Sequence, residues 1–379
     1  MSDTPILDSE RQSQAKAYAR LRRRLFFLET ALAGLTALAW LVFGWAGALA
    51  AGLLAWTQAD WLVTAGVGAV FFLTLEAVGA PLAYYGGFVL PHRFGQSTQT
   101  LAGWLKDQAL GLALAAGLGL PLLLGLYWLL RAAGQAWWLW AAGGYLVFTV
   151  GLSQLAPVLI MPLFNRYVPL GDEHAELARR LTALGARAGA HVAGVFRFDL
   201  SRRTRAANAA LTGLGRTRRI ILGDTLLNEF TPDEVEVVIA HELGHHVHRD
   251  IPLFILFSAA AGLAGLWLAD RALNWGVAVF GFAGLGDVAA LPLLSLTLGA
   301  FSLLLLPVQN AFSRWRERLA DRYALEMTQK PEAFTSAFLR LANQNLADVD
   351  PEQWVVFLFA SHPPIRERLA AARQFSVQP

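Results

Sequence analysis

Long apolar runs separated by short polar turns dominate the chain. Thr30–Gln58, Gln108–Leu130 and Ala132–Asn165 carry no charged residue, and Arg131 separates the last two. Trp61–Leu90 carries Glu76 alone, Ile251–Ala269 lies uncharged between Asp250 and Asp270, and Leu291–Ser313 ends at Arg314. A helix needs about 20 apolar residues, at about 1.5 Å rise each, to cross roughly 30 Å of hydrocarbon. The pattern predicts six spans: four, a long polar insertion, two more, and a polar tail. The division expected is a cytosolic N-terminal segment 1–24, four membrane helices in 25–165, a cytosolic portion 166–250, two membrane helices in 251–313, and a cytosolic portion 314–379.

The first run is too long for a cleavable signal peptide, and further spans follow closely. Arg20, Arg22, Arg23 and Arg24 precede it, so the positive-inside rule puts the N-terminus in the cytosol. Alternation then places the Arg-rich segment 166–250 and the tail inside as well. Mid-span Glu76 reads equally as a carboxyl packed among helices or as the lining of a polar cavity.

Composition agrees with a membrane protein. Hydrophobic residues make up 55% of the 379 and charged residues 16%, against about 25% charged in ordinary soluble proteins. A disordered chain is excluded on the same ground. The absence of cysteine excludes disulfides, iron–sulfur clusters, a cysteine nucleophile and Cys-ligated zinc. The net charge of +3 reads as topological arginine, so no nucleic-acid partner is expected.

The chemistry is concentrated in Thr231–Asp250. Thr231 reads as an N-cap, Pro232 as the first helical residue and Glu234 as the partner in a capping box. His241-Glu242-Leu243-Gly244-His245 therefore lies on a helix and forms H-E-x-x-H. His241 and His245, four residues apart, share one face and can bind one zinc ion. Glu242 lies beside them, where it can act as general base toward the attacking water. His246 and His248 point to other faces.

Catalytic zinc needs a third protein ligand and an open position. Glu317 and Asp321, also four apart, share a helix face after the sixth span. Glu317 could ligate and Asp321 could orient a ligand imidazole. An ordinary charged helix pairing with Arg314, Arg316, Arg318 and Arg322 fits the spacing equally well.

In these residues the chain resembles the type I CAAX prenyl protease family of integral-membrane zinc metallopeptidases, bacterial members included. Phe94-Gly95-Gln96-Ser97-Thr98 with Lys106-Asp107 resembles the family's GFNxQT…KD segment, without the Asn. Ala156-Pro157 through Met161-Pro162-Leu163-Phe164 resembles its APLF step. Asn208-Ala209, Gly213 and Arg219 through Leu227 resemble its NA…G…RIVLxDTLL stretch. HELGHH, Glu317-x-x-x-Asp321 and Ser361-His362-Pro363-Pro364 through Arg368-Leu369 complete the match.

The resemblance implies an all-α polytopic membrane protein of six to seven transmembrane helices around an intramembrane chamber, with a small α+β cytosolic metalloprotease portion. It implies one zinc ion per chain on His241, His245 and Glu317, with Glu242 and Asp321 as further catalytic residues. It also implies His362 and Arg368 as an electrophilic pair at the scissile carbonyl, and Asn208 and Ala209 as edge-strand residues holding substrate backbone. The function it implies is a zinc metalloendopeptidase of a bacterial-type cytoplasmic membrane, its site facing the cytosol. Its partners would be membrane lipid and a peptide or protein substrate, C-terminally lipidated substrates included. An HtpX-like membrane quality-control protease is the alternative; four spans ahead of the metal helix and the Ser-His-Pro-Pro tail argue against it.

Overall fold

A computed structural model of the chain describes residues 7–213 and 215–377. Six helices in it are long and apolar enough to cross a membrane. They are α1 (Ser9–Val42), α3 (Asp60–Arg93), α4 (Leu101–Ala132), α5 (Gly134–Phe164), α9 (Asp250–Phe280) and α10, whose apolar stretch belongs to Val288–Thr328 and whose regular part is Leu291–Thr328. The predicted run Thr30–Gln58 is not one span. Gly44 adopts a left-handed φ of 65°, which ends α1 at Val42 and starts the short apolar α2 (Trp45–Leu54). At its other end α1 continues unbroken through Arg20–Arg24 back to Ser9, where Asp8 caps it. Likewise α10 does not stop at Arg314, where the apolar run stops. Helical hydrogen bonding continues for four more turns, and these carry Glu317 and Asp321.

The six long helices close into a ring. α1 packs on α3, α3 on α4, α4 on α5, α5 on α9, α9 on α10, and α10 returns to α1. No substantial packing pair among the described residues crosses the ring. Six equal cylinders in contact surround a space the width of a seventh, here roughly 10 Å. That space is the chamber of the fold. It is sealed at one end by a tight apolar core of Trp40, Val67, Tyr127, Trp137, Leu273 and Leu294. Buried Asp270 lies in the same region and accepts a hydrogen bond from Trp137 Nε1 at 2.8 Å. Toward the other end the wall is one helix thick: α4 before Tyr127 and α5 after Trp137 bury no side chain.

That open end meets the polar portion. Strands β1 (Tyr167–Pro169), β2 (Gly194–Phe198), β3 (Ala209–Thr212) and β4 (Arg219–Gly223) form one sheet in the order β1-β2-β4-β3. β2 and β4 run parallel, and the two outer pairings are antiparallel. Helix α6 (Ala175–Arg187) presents Leu177, Leu181 and Leu184, one helical stripe, to the sheet core. The short α7 (Asp224–Glu229) leads from β4 to α8 (Pro232–Val247), whose Val237, Ile239 and Leu243 are fully buried. Helices α11 (Pro331–Gln344), α12 (Gln353–Phe359) and α13 (Ile365–Val377) complete this portion. Phe334 and Phe338 of α11 close the core against α8.

Candidate active site

The capping box that starts α8 is formed: Thr231 Oγ1 accepts from Glu234 N–H at 3.3 Å, and Glu234 Oε2 accepts from Thr231 N–H at 2.8 Å. Three turns on, α8 crosses α10, with Gly244 against Ala320. This crossing brings the carboxylate of Glu317 to the two histidines. His241 Nε2 and His245 Nε2 stand 3.2 Å apart. Glu317 oxygens lie 3.3 Å from His241 Nε2 and 3.6 Å from His245 Nε2. Ligands at about 2.0–2.1 Å from a tetrahedral ion are separated by roughly 3.4 Å, so these spacings fit one. Glu317 Oε2 is buried with no hydrogen-bond partner, which leaves a lone pair for an ion. A metal held by two imidazoles and one carboxylate is of the His₂Glu type, with a fourth position left open.

Each imidazole is fixed from behind by a carboxylate, and each carboxylate by an arginine. His241 Nδ1 donates to Asp321 Oδ1 at 2.9 Å, and Arg368 Nε donates to Asp321 Oδ2 at 2.8 Å. His245 Nδ1 donates to Asp250 Oδ2 at 2.6 Å, and Arg316 Nε donates to Asp250 Oδ1 at 2.7 Å. With Nδ1–H committed to a carboxylate, Nε2 is the atom with which each ring, once neutral, would ligate, and it is aimed at the shared point. Burial opposes a charge on His241, but the bond to Asp321 and the nearby Glu317 carboxylate outweigh it and raise its pKa to about 9. Burial also pushes the partly buried Glu242 carboxyl above its ordinary value, toward the range useful to a base at neutral pH.

His362 comes to the same point, its Nε2 3.3 Å from Glu317 Oε1. Arg368, expected beside His362 at the scissile carbonyl, lies behind His241 instead. Its Nη2 is 3.3 Å from His241 Nδ1, and its guanidinium stacks 3.7 Å over the Phe338 ring. Its two bonds to Asp321 draw it there. Asn208 is exposed and leads into β3, an edge strand that begins at Ala209 and packs beside α8. A cavity of about 470 Å³ joins β3 to the histidine face, lined by Leu211, Glu242, His245, His246 and, from the start of α9, Ile251 and Ile255. His248 turns away and bonds the Gly244 carbonyl. Asp250 and Arg316 are the site residues that sequence reasoning missed.

The chain matches two family models in series. One is described as CAAX prenyl protease N-terminal, five membrane helices, over residues 4–166; the other as Peptidase family M48, over residues 172–376. The described residues 9–164 hold four long apolar helices and the short α2 where that description counts five. The chain is 32% identical to an uncharacterized metalloprotease, YhfN, of Bacillus subtilis, over 95% of this chain and 85% of that one. It is 31% identical to CAAX prenyl protease 1 of Saccharomyces cerevisiae, over 78% of this chain and 68% of that one. Its fold is similar to the crystal structure of Ste24p of S. mikatae, with a TM-score of 0.85 and 24% identity over 97% of this chain and 91% of that one.

Proposed function

Since the chain belongs to peptidase family M48 and is a membrane metalloprotease of the CAAX prenyl protease group, we propose that it is a zinc endopeptidase cutting near the C-terminus of lipidated or otherwise membrane-tethered peptides. The observation that carries this reading is the convergence of His241 Nε2, His245 Nε2 and the orphaned Glu317 Oε2 on one point. A zinc ion held by these three would polarise the scissile carbonyl and lower the pKa of the attacking water to near 7.

The chain's own groups do the rest. Glu242 takes the proton of the attacking water and passes it to the leaving amine. His362 donates a hydrogen bond to the oxygen that gains charge in the tetrahedral species. Asp321 and Asp250 hold the ligand imidazoles in the tautomer that frees Nε2, and Arg368 and Arg316 keep those carboxylates ionised. Asn208 and Ala209 open the β3 edge, along which an extended peptide adds as a further strand. The chamber gives a lipid tail a place while the peptide lies across the metal cluster. The basic stretch Arg20–Arg24 supports a site on the cytosolic side of a bacterial-type cytoplasmic membrane.

The test is cleavage of a farnesylated CAAX peptide by purified protein, with and without chelator, beside Glu242→Gln. Chelator-sensitive release of the last three residues, lost in a mutant that still holds its zinc, is the expected result. A zinc-loaded protein that leaves this peptide intact removes the CAAX substrate class. Broad cutting of unfolded membrane segments instead would favour the HtpX-like reading.

A further inference from the structure

The imidazole of His362 is 60% exposed, so no packed pocket holds it. Its polar contacts are the Glu317 carboxylate and Ser361 Oγ, 2.9 Å from Nδ1. Its position is therefore set by the backbone that carries it, and that backbone leaves α12 only two residues earlier, at Ala360. α12 has seven residues, too few to be a stable helix alone, and at its end only a long 3.4 Å bond from the Ala360 N–H reaches the Val356 carbonyl, which leaves its last carbonyls in need of outside donors.

Those carbonyls are held by α10. Arg314 Nη1 donates to Val356 O at 2.8 Å and to Ala360 O at 2.6 Å. Asn310 Nδ2 donates to Leu358 O at 2.6 Å. Both residues are buried, and no ion pair offsets the Arg314 charge among the described residues. A cation at a helix C-terminus is stabilised by the carbonyl dipoles there, so this guanidinium is committed to the end of α12. Asn310, Arg314, Glu317 and Asp321 are spaced four, three and four along α10 and form one stripe. One helix face thus carries the metal-binding carboxylate and the clamp on the segment that delivers His362.

We propose that Arg314 is a positioning residue: through the carbonyls of Val356 and Ala360 it fixes the Ala360–His362 segment so that the imidazole faces the scissile carbonyl. This rests on the reading of His362 as the oxyanion donor. The loss of a donor displaced by about 1 Å can reach 10²-fold.

The experiment is a mutant cycle on the full-length zinc-loaded protein with one peptide substrate: parent, Arg314→Ala, His362→Ala and the double variant. Arg314→Ala should lower kcat about 10- to 100-fold, with KM and zinc content near the parent's. The double variant should be within about threefold of His362→Ala, because a lost donor cannot be misplaced. Arg314→Lys, which keeps one donor at the carbonyls, should recover part of the loss. Multiplying losses, or a parent-like Arg314→Ala, would overturn the proposal. If His362→Ala is itself parent-like while Glu242→Gln is inactive, the oxyanion reading fails, and the proposal fails with it by a separable route. Should Arg314→Ala not fold, Asn310→Ala and Arg314→Lys run the same cycle with the same expected non-additivity.

Discussion

Gly244 lies flush against Ala320. A Cβ on Gly244 would stand 2.9 Å from the Ala320 Cα and 3.2 Å from its carbonyl oxygen. Neither atom can swing aside as a side chain can. Gly244 precedes His245, and Ala320 follows Glu317 by three residues, so this contact sets the distance between the histidines and the carboxylate. Gly244→Ala should therefore weaken zinc binding. Helix propensity alone favours alanine by about 1 kcal/mol, but overpacking costs about 1–3 kcal/mol, and about 1.4 kcal/mol is tenfold in affinity. The expected result is about tenfold weaker zinc binding in a folded protein, read by chelator competition. An unchanged affinity would mean that the helices separate without moving the ligands.

The Asp–Arg pairs behind the histidines predict matched losses. Asp250→Asn and Asp321→Asn keep the side-chain shape but remove the acceptor charge that fixes each Nδ1–H. Each should cost about 10- to 100-fold in zinc affinity. Each should also lower thermal stability, because Arg316 or Arg368 is left buried without its counter-charge. Replacing the partner too, as in Asp250→Asn with Arg316→Met, should return part of the stability and none of the affinity. Melting curves and metal titrations on the same samples separate the two effects.

Metal uptake should release a proton. With a pKa of about 9, the metal-free His241 imidazole is charged at pH 7 and has no lone pair to offer. Binding must expel that proton. Calorimetry in two buffers of different ionisation heat should count about one proton released at pH 7. Apparent zinc affinity should climb about tenfold per pH unit toward pH 9. A release of zero would mean that His241 is neutral beforehand.

Asp233 and Glu236, one turn apart on α8, face Arg180 of α6 and Lys330 before α11. Hydrogen bonds from Arg180 and Lys330 hold Asp233 below its ordinary pKa of 3.8. Burial alone would raise Glu236, but bonds from Lys330 and Arg180 carry it below 4.5. Both groups therefore bind protons more readily when unfolded, and their stabilisation is full above about pH 4.5 and lost as pH falls through the lowered values. Glu236, the less exposed of the two, should dominate. Glu236→Gln should lower the melting temperature near pH 7 and flatten its decline in acid. Equal slopes in parent and variant would contradict the assignment.

Much of the site was legible because its signals are local. The capping box, H-E-x-x-H and the Glu317/Asp321 stripe each depend on spacings of three or four, which one helix turns into a shared face. Asp250 follows His245 by five, a spacing that shares no face on a straight helix. It reaches the ring only because Arg249 adopts a left-handed φ of 55° and turns the chain between α8 and α9. In sequence it looked like a charge bounding an apolar run, and Arg316 like one more surface arginine. Helix ends were misjudged for a related reason: hydropathy marks where lipid contact stops, while hydrogen bonding carried α1 and α10 well past those points. The place of Arg368 behind His241 depends on a partner 47 residues away, which no periodicity encodes.

The ring has a consequence for how the protease comes into being. Its wall closes where α1 meets α10, which are far apart in sequence, and α10 is also the helix that bears Glu317. A growing chain that has emitted both histidines still lacks a carboxylate ligand and an enclosed lumen. Hydrolytic competence therefore arrives only once α10 has been made, well after both histidines, and the unfinished polypeptide is spared an active cleft of its own making.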